Sequence, residues 1–579
     1  VKAARAKRGQ APATRQVRLY LLVALLSLAA VALASVAVRL QVVDHAQLTS
    51  RGDARSTRVI ATSAHRGRIF DRYDTSLAVS APVESLWVNP AEFVGRDAQL
   101  QQVARVLGGD GAALIRRVNE GRAREFMYIA RGLDPIEAAR VRALGVEGLN
   151  FLSEYRRYYP ASDVTSQVLG FTNIDDIGSE GVEMSYDHDL AGEAGLKRVI
   201  QDRRGRKVED IESIRAVEPG RDLSLSLDLR IQYLAYRELK AALLANRAKA
   251  GSVVVLDVQT GEVLAMVNLP AFNPNVRDKS DAEARRNRAV TDQFEPGSSI
   301  KPFVVAAALA SGRYAADSII NTGAGFLQVG SKRFTDEHPI GAAPLSTAMA
   351  KSSNVAMAMI ALSLEPRQLW QTFSSLGFGA TSGVELPAES SGSLAGYNRW
   401  RSINIATMSH GYGLTVTPLQ LVRAYATIGA FGIRRPVSIR RVDAPVPGER
   451  VLEATTCRAL LGVLEAVTSE EGTGTRARIP GYRVAGKTGT AWKAVGGRYM
   501  HDRYVAVFAG LVPASNPRLA AVVMIDEPSA GRYTGGEVSA PVFSAVIGGA
   551  LRLMAIAPDD VGAGVEPSLA QSGVRVATR

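Results

Sequence analysis

Ser298-Ser299-Ile300-Lys301, Ser352-Ser353-Asn354 and Lys487-Thr488-Gly489-Thr490 occur in that order along a chain of 579 residues. The first string follows Glu295-Pro296-Gly297 and runs into Pro302-Phe303-Val304-Val305-Ala306. Pro296-Gly297 is turn chemistry, and Pro302 is tolerated only in the first turn of a helix. Ser298 and Lys301, three apart, therefore share a face at a helix N-terminus. The positive end of the helix dipole there favours developing negative charge. Serine is a weak nucleophile and needs a base. Lysine can be that base only when neutral, through burial or a neighbouring cation. Lys487 supplies the cation if the fold brings it to the site. A lone S-x-x-K string reads equally as an N-capping serine and a surface lysine, so its weight comes from the other two strings.

Residues 347–351 and 355–360 are both helical in pattern, so Ser352-Ser353-Asn354 lies on a helix-to-helix connection. Lys487 follows Tyr482-Arg483-Val484-Ala485, which reads as a strand. Small residues let an extended peptide lie beside such an edge. The ammonium of Lys487 and the hydroxyls of Thr488 and Thr490 suit a carboxylate.

Residues 481–488 also satisfy G-x-x-x-x-G-K-[ST], the phosphate-binding loop pattern. That loop needs a strand before it and a helix after it. Here a turn-like Glu471-Gly472-Thr473-Gly474-Thr475 precedes it and Gly489, Trp492 and Gly496-Gly497 follow, so the nucleotide reading fails on context. Neither G-x-S-x-G nor H-E-x-x-H occurs, which argues against Ser-His-Asp and zinc-hydrolase chemistry. The one cysteine, Cys457, lies in a helix-like run and reads as a buried thiol.

The net charge is +13, and the first 18 residues contribute +6 of it through Lys2, Arg5, Lys7, Arg8, Arg15 and Arg18. The rest is spread without a basic block, which leaves nucleic-acid binding without support. Residues 19–38 are apolar apart from Tyr20, Ser27 and Ser35. At about 1.5 Å per residue they span roughly 30 Å, the thickness of a bilayer core. The basic flank precedes the run, so a cytoplasmic N-terminus and an exported remainder are expected. A cleaved signal peptide is the competing reading, from Ala32-Leu33-Ala34, but the run continues to Val38.

Beyond the anchor, Arg66-Gly67-Arg68-Ile69-Phe70-Asp71-Arg72 and Gly178-Ser179-Glu180-Gly181-Val182-Glu183 read on their own as surface turns with solvated charges. A boundary is expected near Val217-Glu218-Pro219-Gly220. After it come a strand at 223–227, a helix capped by Asp228 and a hairpin from 251–256 and 263–267. Helices dominate from Lys301 to about Ser374, and strands return at 505–511 and 519–525. Strands, then helices, then strands suggest one antiparallel sheet packed by helices.

The three strings resemble the S-x-x-K, S-x-N and K-T-G set of the serine penicillin-recognising enzymes. Further stretches, among them Arg286-Asn287-Arg288-Ala289-Val290, Gly472-Thr473-Gly474-Thr475 and Ala540-Pro541-Val542-Phe543, are similar to class B penicillin-binding proteins. Ser409-His410-Gly411-Tyr412-Gly413-Leu414 most resembles the division-specific FtsI type. The resemblance implies an α+β penicillin-binding transpeptidase fold: a central antiparallel sheet packed by helices, an elongated N-terminal pedestal and one transmembrane helix. The expected divisions are a basic cytoplasmic tail (1–18), the anchor (19–38), the pedestal (39–218), the transpeptidase domain (219–556) and a flexible tail (557–579).

The resemblance also implies D,D-transpeptidation of peptidoglycan at the division septum. Ser298 is the nucleophile, Lys301 its base, Ser352 the proton relay and Asn354 the orienting amide. Lys487, Thr488, Gly489 and Thr490 receive the substrate carboxylate, and the N–H groups of Ser298 and Thr490 form the oxyanion hole. Tyr412 and Tyr533 are candidate pocket residues. Ser402-Ile403-Asn404 also matches S-x-N, but only Ser352 has the family's Lys351-Ser-Ser-Asn-Val context. Trp492 stands outside the motif pattern. No cofactor or metal is implied. The implied partners are stem peptides, β-lactams, an FtsW-type glycosyltransferase and other division proteins, at the bacterial inner membrane with a periplasmic catalytic domain. The rival readings are an elongation-type transpeptidase, a D,D-carboxypeptidase or β-lactam hydrolase, and a catalytically silent division scaffold.

Overall fold

The computed structural model describes residues 13–48, 57–93, 95–201, 207–276 and 282–560. Most of the basic N-terminal tail and the expected flexible tail from 561 onward lie outside them. The chain forms two compact units. The first comprises residues up to 64, 84–154 and 193–218; the second comprises 65–83, 155–192 and everything from 219.

In the first unit, α1 (Ala13–Val38) continues into a short π-helical turn. The stretch Gln16–Val43 is long and apolar enough to cross a membrane, and none of it is buried against protein. A three-stranded antiparallel sheet joins Thr57–Thr62, Gly195–Gln201 and Lys207–Arg215. A separate small core packs Leu86, Val88, Leu100, Val103, Val118, Ile129 and Val141. Its helices start where their caps dictate. Asp110 accepts from the N–H groups of Ala112 and Ala113, and Asp134 and Glu137 form a capping box.

The second unit is built on five antiparallel strands: β1 (Ala250–Asp257), β2 (Val263–Leu269), β3 (Ala485–Val495), β4 (Arg498–Val512) and β5 (Leu519–Asp526). Their order is β2-β1-β5-β4-β3, so β3 is an edge strand. Helices cover both faces, which is why β1 and β2 are buried at every position rather than at alternate ones. On one face α2 (Leu229–Asn246) and α8 (Ala540–Leu553) pack Ile231, Leu239, Phe543 and Ile547 against Val253, Val255, Phe508 and Val523. On the other face lie α3 (Lys301–Ala310), α6 (Pro418–Gly429) and α7 (Ala454–Thr468). They pack Val304, Leu421 and Leu464 against Val254, Val507 and Val522. Burying each such side chain is worth about 1.5–3 kcal/mol. Asp228 caps α2 by accepting from Arg230 N, as its position suggests.

Three local expectations change. The strand expected at 223–227 is only Leu223–Ser224. Residues 319–344 form two small hairpin-like pairs inside the region expected to be helical. The strand expected at 482–485 begins only at Ala485 and then runs through Lys487-Thr488-Gly489-Thr490 itself. Gly481 has φ of +81° and Ile479 bridges Tyr482, which makes a turn there.

The two turn-like clusters at 66–72 and 178–183 are not simply surface turns. Arg66 and Glu183 are both fully buried. Glu183 accepts from Arg66 Nε at 2.8 Å and from Arg157 Nε at 2.6 Å, and Arg66 Nη1 reaches Asp187 at 2.7 Å. One carboxylate held between two guanidinium groups satisfies charges that would otherwise be costly to bury.

Candidate active site

The S-x-x-K string occupies a single 3-10 turn, Gly297–Ile300, that passes into α3 at Lys301. A 3-10 turn has about three residues per turn, so positions i and i+3 eclipse. Ser298 and Lys301 therefore lie one above the other. Lys301 is completely buried. Its Nζ donates to Ser352 O at 2.6 Å and to Asn354 Oδ1 at 2.8 Å, and lies 3.2 Å from Ser352 Oγ.

The S-x-N string joins α4 (Leu345–Ala350) to α5 (Asn354–Ser363). Ser352 takes the left-handed conformation there, with φ of +57°. For a non-glycine residue this costs about 1–3 kcal/mol and persists only where the surroundings enforce it. Asp336 is part of those surroundings. Its carboxylate accepts from Ser353 Oγ at 2.6 Å, Asn354 N at 2.6 Å and Val355 N at 2.9 Å, capping α5. Asp336 directly follows the small hairpin strand Lys332–Thr335 that sequence periodicity missed, and no motif marks it.

The K-T-G-T string is the edge strand β3, packed directly on the Ser298 turn. A Cβ on Gly489 would sit 2.7 Å from Pro296 O, and one on Gly297 would sit 2.8 Å from Thr490 O. Glycine is required at both places for the two backbones to approach. Lys487 is also fully buried, and its Nζ donates to Ser352 Oγ at 3.0 Å. Thr488 Oγ1 lies 2.9 Å from Thr473 Oγ1, which brings the Gly472-Thr473-Gly474-Thr475 stretch to the site. Thr490 Oγ1 accepts from Gly535 N at 3.1 Å.

The electrostatics follow from burial. Lys301 is held well below the ordinary lysine range, first by desolvation and then by the nearby charge of Lys487; Asp336 opposes weakly. Lys487 is pulled down to about 7 by burial. Lys301 carries its neighbour's repulsion on top of burial, and both favour its neutral form. A neutral Lys301 can donate its two protons to Ser352 O and Asn354 Oδ1 and keep a lone pair for a hydroxyl proton. His410 is driven down to about 3 by burial and the neighbouring lysine, so it stays neutral, its ring nitrogen Nδ1 2.8 Å from Ala406 O.

Tyr412 lies on the rim, where its hydroxyl accepts from Trp492 N at 3.2 Å. Tyr533 is 42% exposed and stacks on Tyr504 with ring centroids 4.2 Å apart. The rival Ser402 starts a separate helix, Ser402–Met408, and makes none of the contacts that join Ser352 to the two lysines. The arrangement can activate a serine with a neutral amine, stabilise anionic charge at a helix start, and hold an extended acyl donor along β3.

Two family models match the chain: the penicillin binding protein transpeptidase domain over residues 251–548 and the penicillin-binding protein dimerisation domain over residues 61–225. The chain belongs to the class B penicillin-binding proteins, and within them to the FtsI type. Peptidoglycan D,D-transpeptidase FtsI of Escherichia coli K12 is 44% identical over 90% of this chain and 89% of its own. A probable peptidoglycan D,D-transpeptidase PbpC of Pseudomonas aeruginosa is 38% identical over 94% of this chain and 97% of its own. Among solved structures, the apo transpeptidase domain of Burkholderia pseudomallei penicillin-binding protein 3 superposes with a TM-score of 0.54. It is 42% identical and covers 58% of this chain and 97% of its own.

Proposed function

We propose that this protein is a peptidoglycan D,D-transpeptidase of septal wall synthesis, working through an acyl-serine intermediate. The observation that carries the reading is the convergence of two buried lysines on Ser352 Oγ beside the Ser298 turn. In the first half-reaction Ser298 Oγ attacks the carbonyl between two terminal D-alanines, and its proton passes to the neutral amine of Lys301. The oxyanion is held by the N–H groups of Ser298 and Thr490; in other enzymes losing one such donor costs about 10²–10³ in rate. The C–N bond breaks as Ser352 passes its proton to the leaving amine and takes the one held by Lys301 in exchange, 3.2 Å away, so D-alanine departs and the Lys301 amine is neutral again. In the second half-reaction an amine of a neighbouring stem peptide attacks the ester, loses a proton to the same base and releases Ser298. Lys487, Thr488 and Thr490 hold the donor's terminal carboxylate, and Asn354 orients Lys301. A β-lactam presents the same acyl group and carboxylate and traps the same serine.

The division into pedestal (39–218) and transpeptidase domain (219–556) is part of this reading. So is an N-terminus in the cytoplasm with the catalytic domain outside the inner membrane. The apolar helix and the first unit are the surfaces offered to an FtsW-type glycosyltransferase and other division proteins. Reconstitution with such a polymerase and lipid-linked disaccharide-pentapeptide tests the function. Penicillin-sensitive crosslinked dimers are expected after muramidase digestion. Release of D-alanine without dimers would make it a carboxypeptidase.

A further inference from the structure

The Ser298 turn runs into a proline, and that leaves one of its carbonyls open. Ser298 O accepts from Lys301 N, the i+3 bond of a 3-10 turn. Its α-helical partner would be the nitrogen of residue 302, but Pro302 has no N–H. Pro302 is therefore one reason the string winds as a 3-10 turn and Ser298 stands over Lys301. The carbonyl of Ser299 meets the same proline at i+3, and α3 begins only at Lys301, beyond it. Ser299 is fully buried. Its N–H and Oγ both turn back to Pro296 O, at 3.3 and 2.7 Å. A buried carbonyl left without a partner is costly, so its hydrogen bond has to come from elsewhere.

It comes from 126 residues away. Tyr425 of α6 donates its hydroxyl to Ser299 O at 3.0 Å. Tyr425 is fully buried, and burial holds its phenol well above the ordinary tyrosine value, so the group stays a donor. Its ring packs edge to face on Phe303, with centroids 5.3 Å apart, and Phe303 packs the same way on Phe378. A phenylalanine would fill that apolar space as well. The hydroxyl adds nothing to the ring packing; what it serves is the Ser299 carbonyl. Lys301 Nζ, meanwhile, is fixed by Ser352 O and Asn354 Oδ1. If the turn relaxed to α-helical winding, positions three apart would separate by about 60° around the axis. Ser298 would swing off a lysine that is tied in place.

We propose that Tyr425 is a positioning residue for acyl transfer: its hydroxyl, acting through Ser299 O, keeps the Ser298 turn tightly wound and Ser298 Oγ within reach of Lys301 Nζ. Fully buried, it touches neither substrate nor the reacting atoms. The edge strand β3 borders the same turn at Gly489, and Tyr425 adds a tie to it from α6. The inference rests on the transpeptidase reading and names a group outside all three of its strings.

The test is stopped-flow acylation of the detergent-extracted full chain by a chromogenic cephalosporin over a range of concentrations. It yields the fraction of protein acylated, the half-saturating concentration and the acylation rate constant at saturation. A residue that only stabilises the fold changes the first, because the unfolded share does not react. Tyr425→Phe should leave the first two close to wild type and lower the rate constant at saturation by about ten- to a hundredfold, as a displacement of up to about 1 Å implies. Phe378→Leu loosens the same core without touching the hydrogen bond. It should lower the melting temperature and leave the rate constant close to wild type. An unchanged rate constant in folded Tyr425→Phe overturns the positioning role, whatever its melting temperature. So does an equal loss of rate in both variants, because the rate would then follow core packing. Pro302→Ala keeps the test open where Tyr425→Phe does not fold. It returns an N–H to residue 302, lets Ser298 O take its α-helical partner, and should lower the same constant alone; an unchanged constant there overturns the tight turn. Failure of the cephalosporin to acylate the wild type would instead overturn the transpeptidase reading.

Discussion

Lys301 Nζ and Lys487 Nζ meet the same hydroxyl, Ser352 Oγ, at 3.2 and 3.0 Å. Two buried ammonium groups around one neutral oxygen repel each other, and at Lys301 that repulsion adds to burial in favouring the neutral amine. On the proposed mechanism this shared contact ties base, relay and carboxylate-binding cation into one unit, from which a pH dependence follows.

Acylation needs Lys301 neutral and Lys487 charged. Both lysines sit below the ordinary lysine value. The rate should therefore rise with pH as Lys301 loses its proton and fall again as pH passes about 7, where Lys487 loses its own. The pH profile of penicillin kcat/KM on free enzyme checks this. Lys487→Arg, whose guanidinium does not deprotonate, should lower the maximum and remove the alkaline fall.

Lys301→Ala and Lys301→Arg should be equally inactive, each losing about 10²–10⁴ in acylation rate. Arginine keeps the charge and the length but cannot become neutral. Stopped-flow acylation with a chromogenic cephalosporin, beside a melting curve, separates this loss from misfolding.

Gly489→Ala places a methyl 2.7 Å from Pro296 O and 3.2 Å from Ser299 N, so β3 must move off the Ser298 turn. A displacement of about 1 Å at reacting atoms can cost about 10²-fold in rate. Gly462, exposed in α7 with nothing within 4 Å of an added Cβ, is the control. Gly462→Ala should leave acylation unchanged and stabilise by about 0.5–1 kcal/mol.

Removing Glu183 should act on stability rather than chemistry. Glu183→Ala strands Arg66 and Arg157, both buried, without the carboxylate between them. A buried pair broken this way costs about 3–5 kcal/mol. Denaturant unfolding of the wild type and variant, followed by tryptophan fluorescence, measures it.

The sequence was legible where chemistry is local. The Pro302 that admits only a helix start, the Asp228 cap and the 251–267 hairpin are set within a few residues, and all three appear. The three strings name the site because serine, lysine and glycine are needed there for separate physical reasons. What stayed hidden depends on partners far along the chain. Arg66 reads as a solvated charge until Glu183, 117 residues away, is seen against it. Asp336 caps the Ser352 connection from just after a hairpin strand too short to show a period. The K-T-G-T segment looked like the end of a strand because Gly486 and Gly489 are poor strand formers. Pairing with Gly510 and Val507 of β4 makes them strand residues, and at Gly489 contact with the Ser298 turn adds to it. Tyr425 carried no signal of its own, because Ser299 lies 126 residues away from it.

On the proposed mechanism Ser298 is the residue that is acylated. The most direct measurement is the intact mass of the detergent-extracted protein over hours after exposure to penicillin, with peptide mapping of the adduct, for wild type and Ser298→Ala. The account predicts one lasting adduct on wild type, mapped to Ser298, and none on the variant. An adduct that persists on Ser298→Ala, or a folded wild type that takes none, would contradict it.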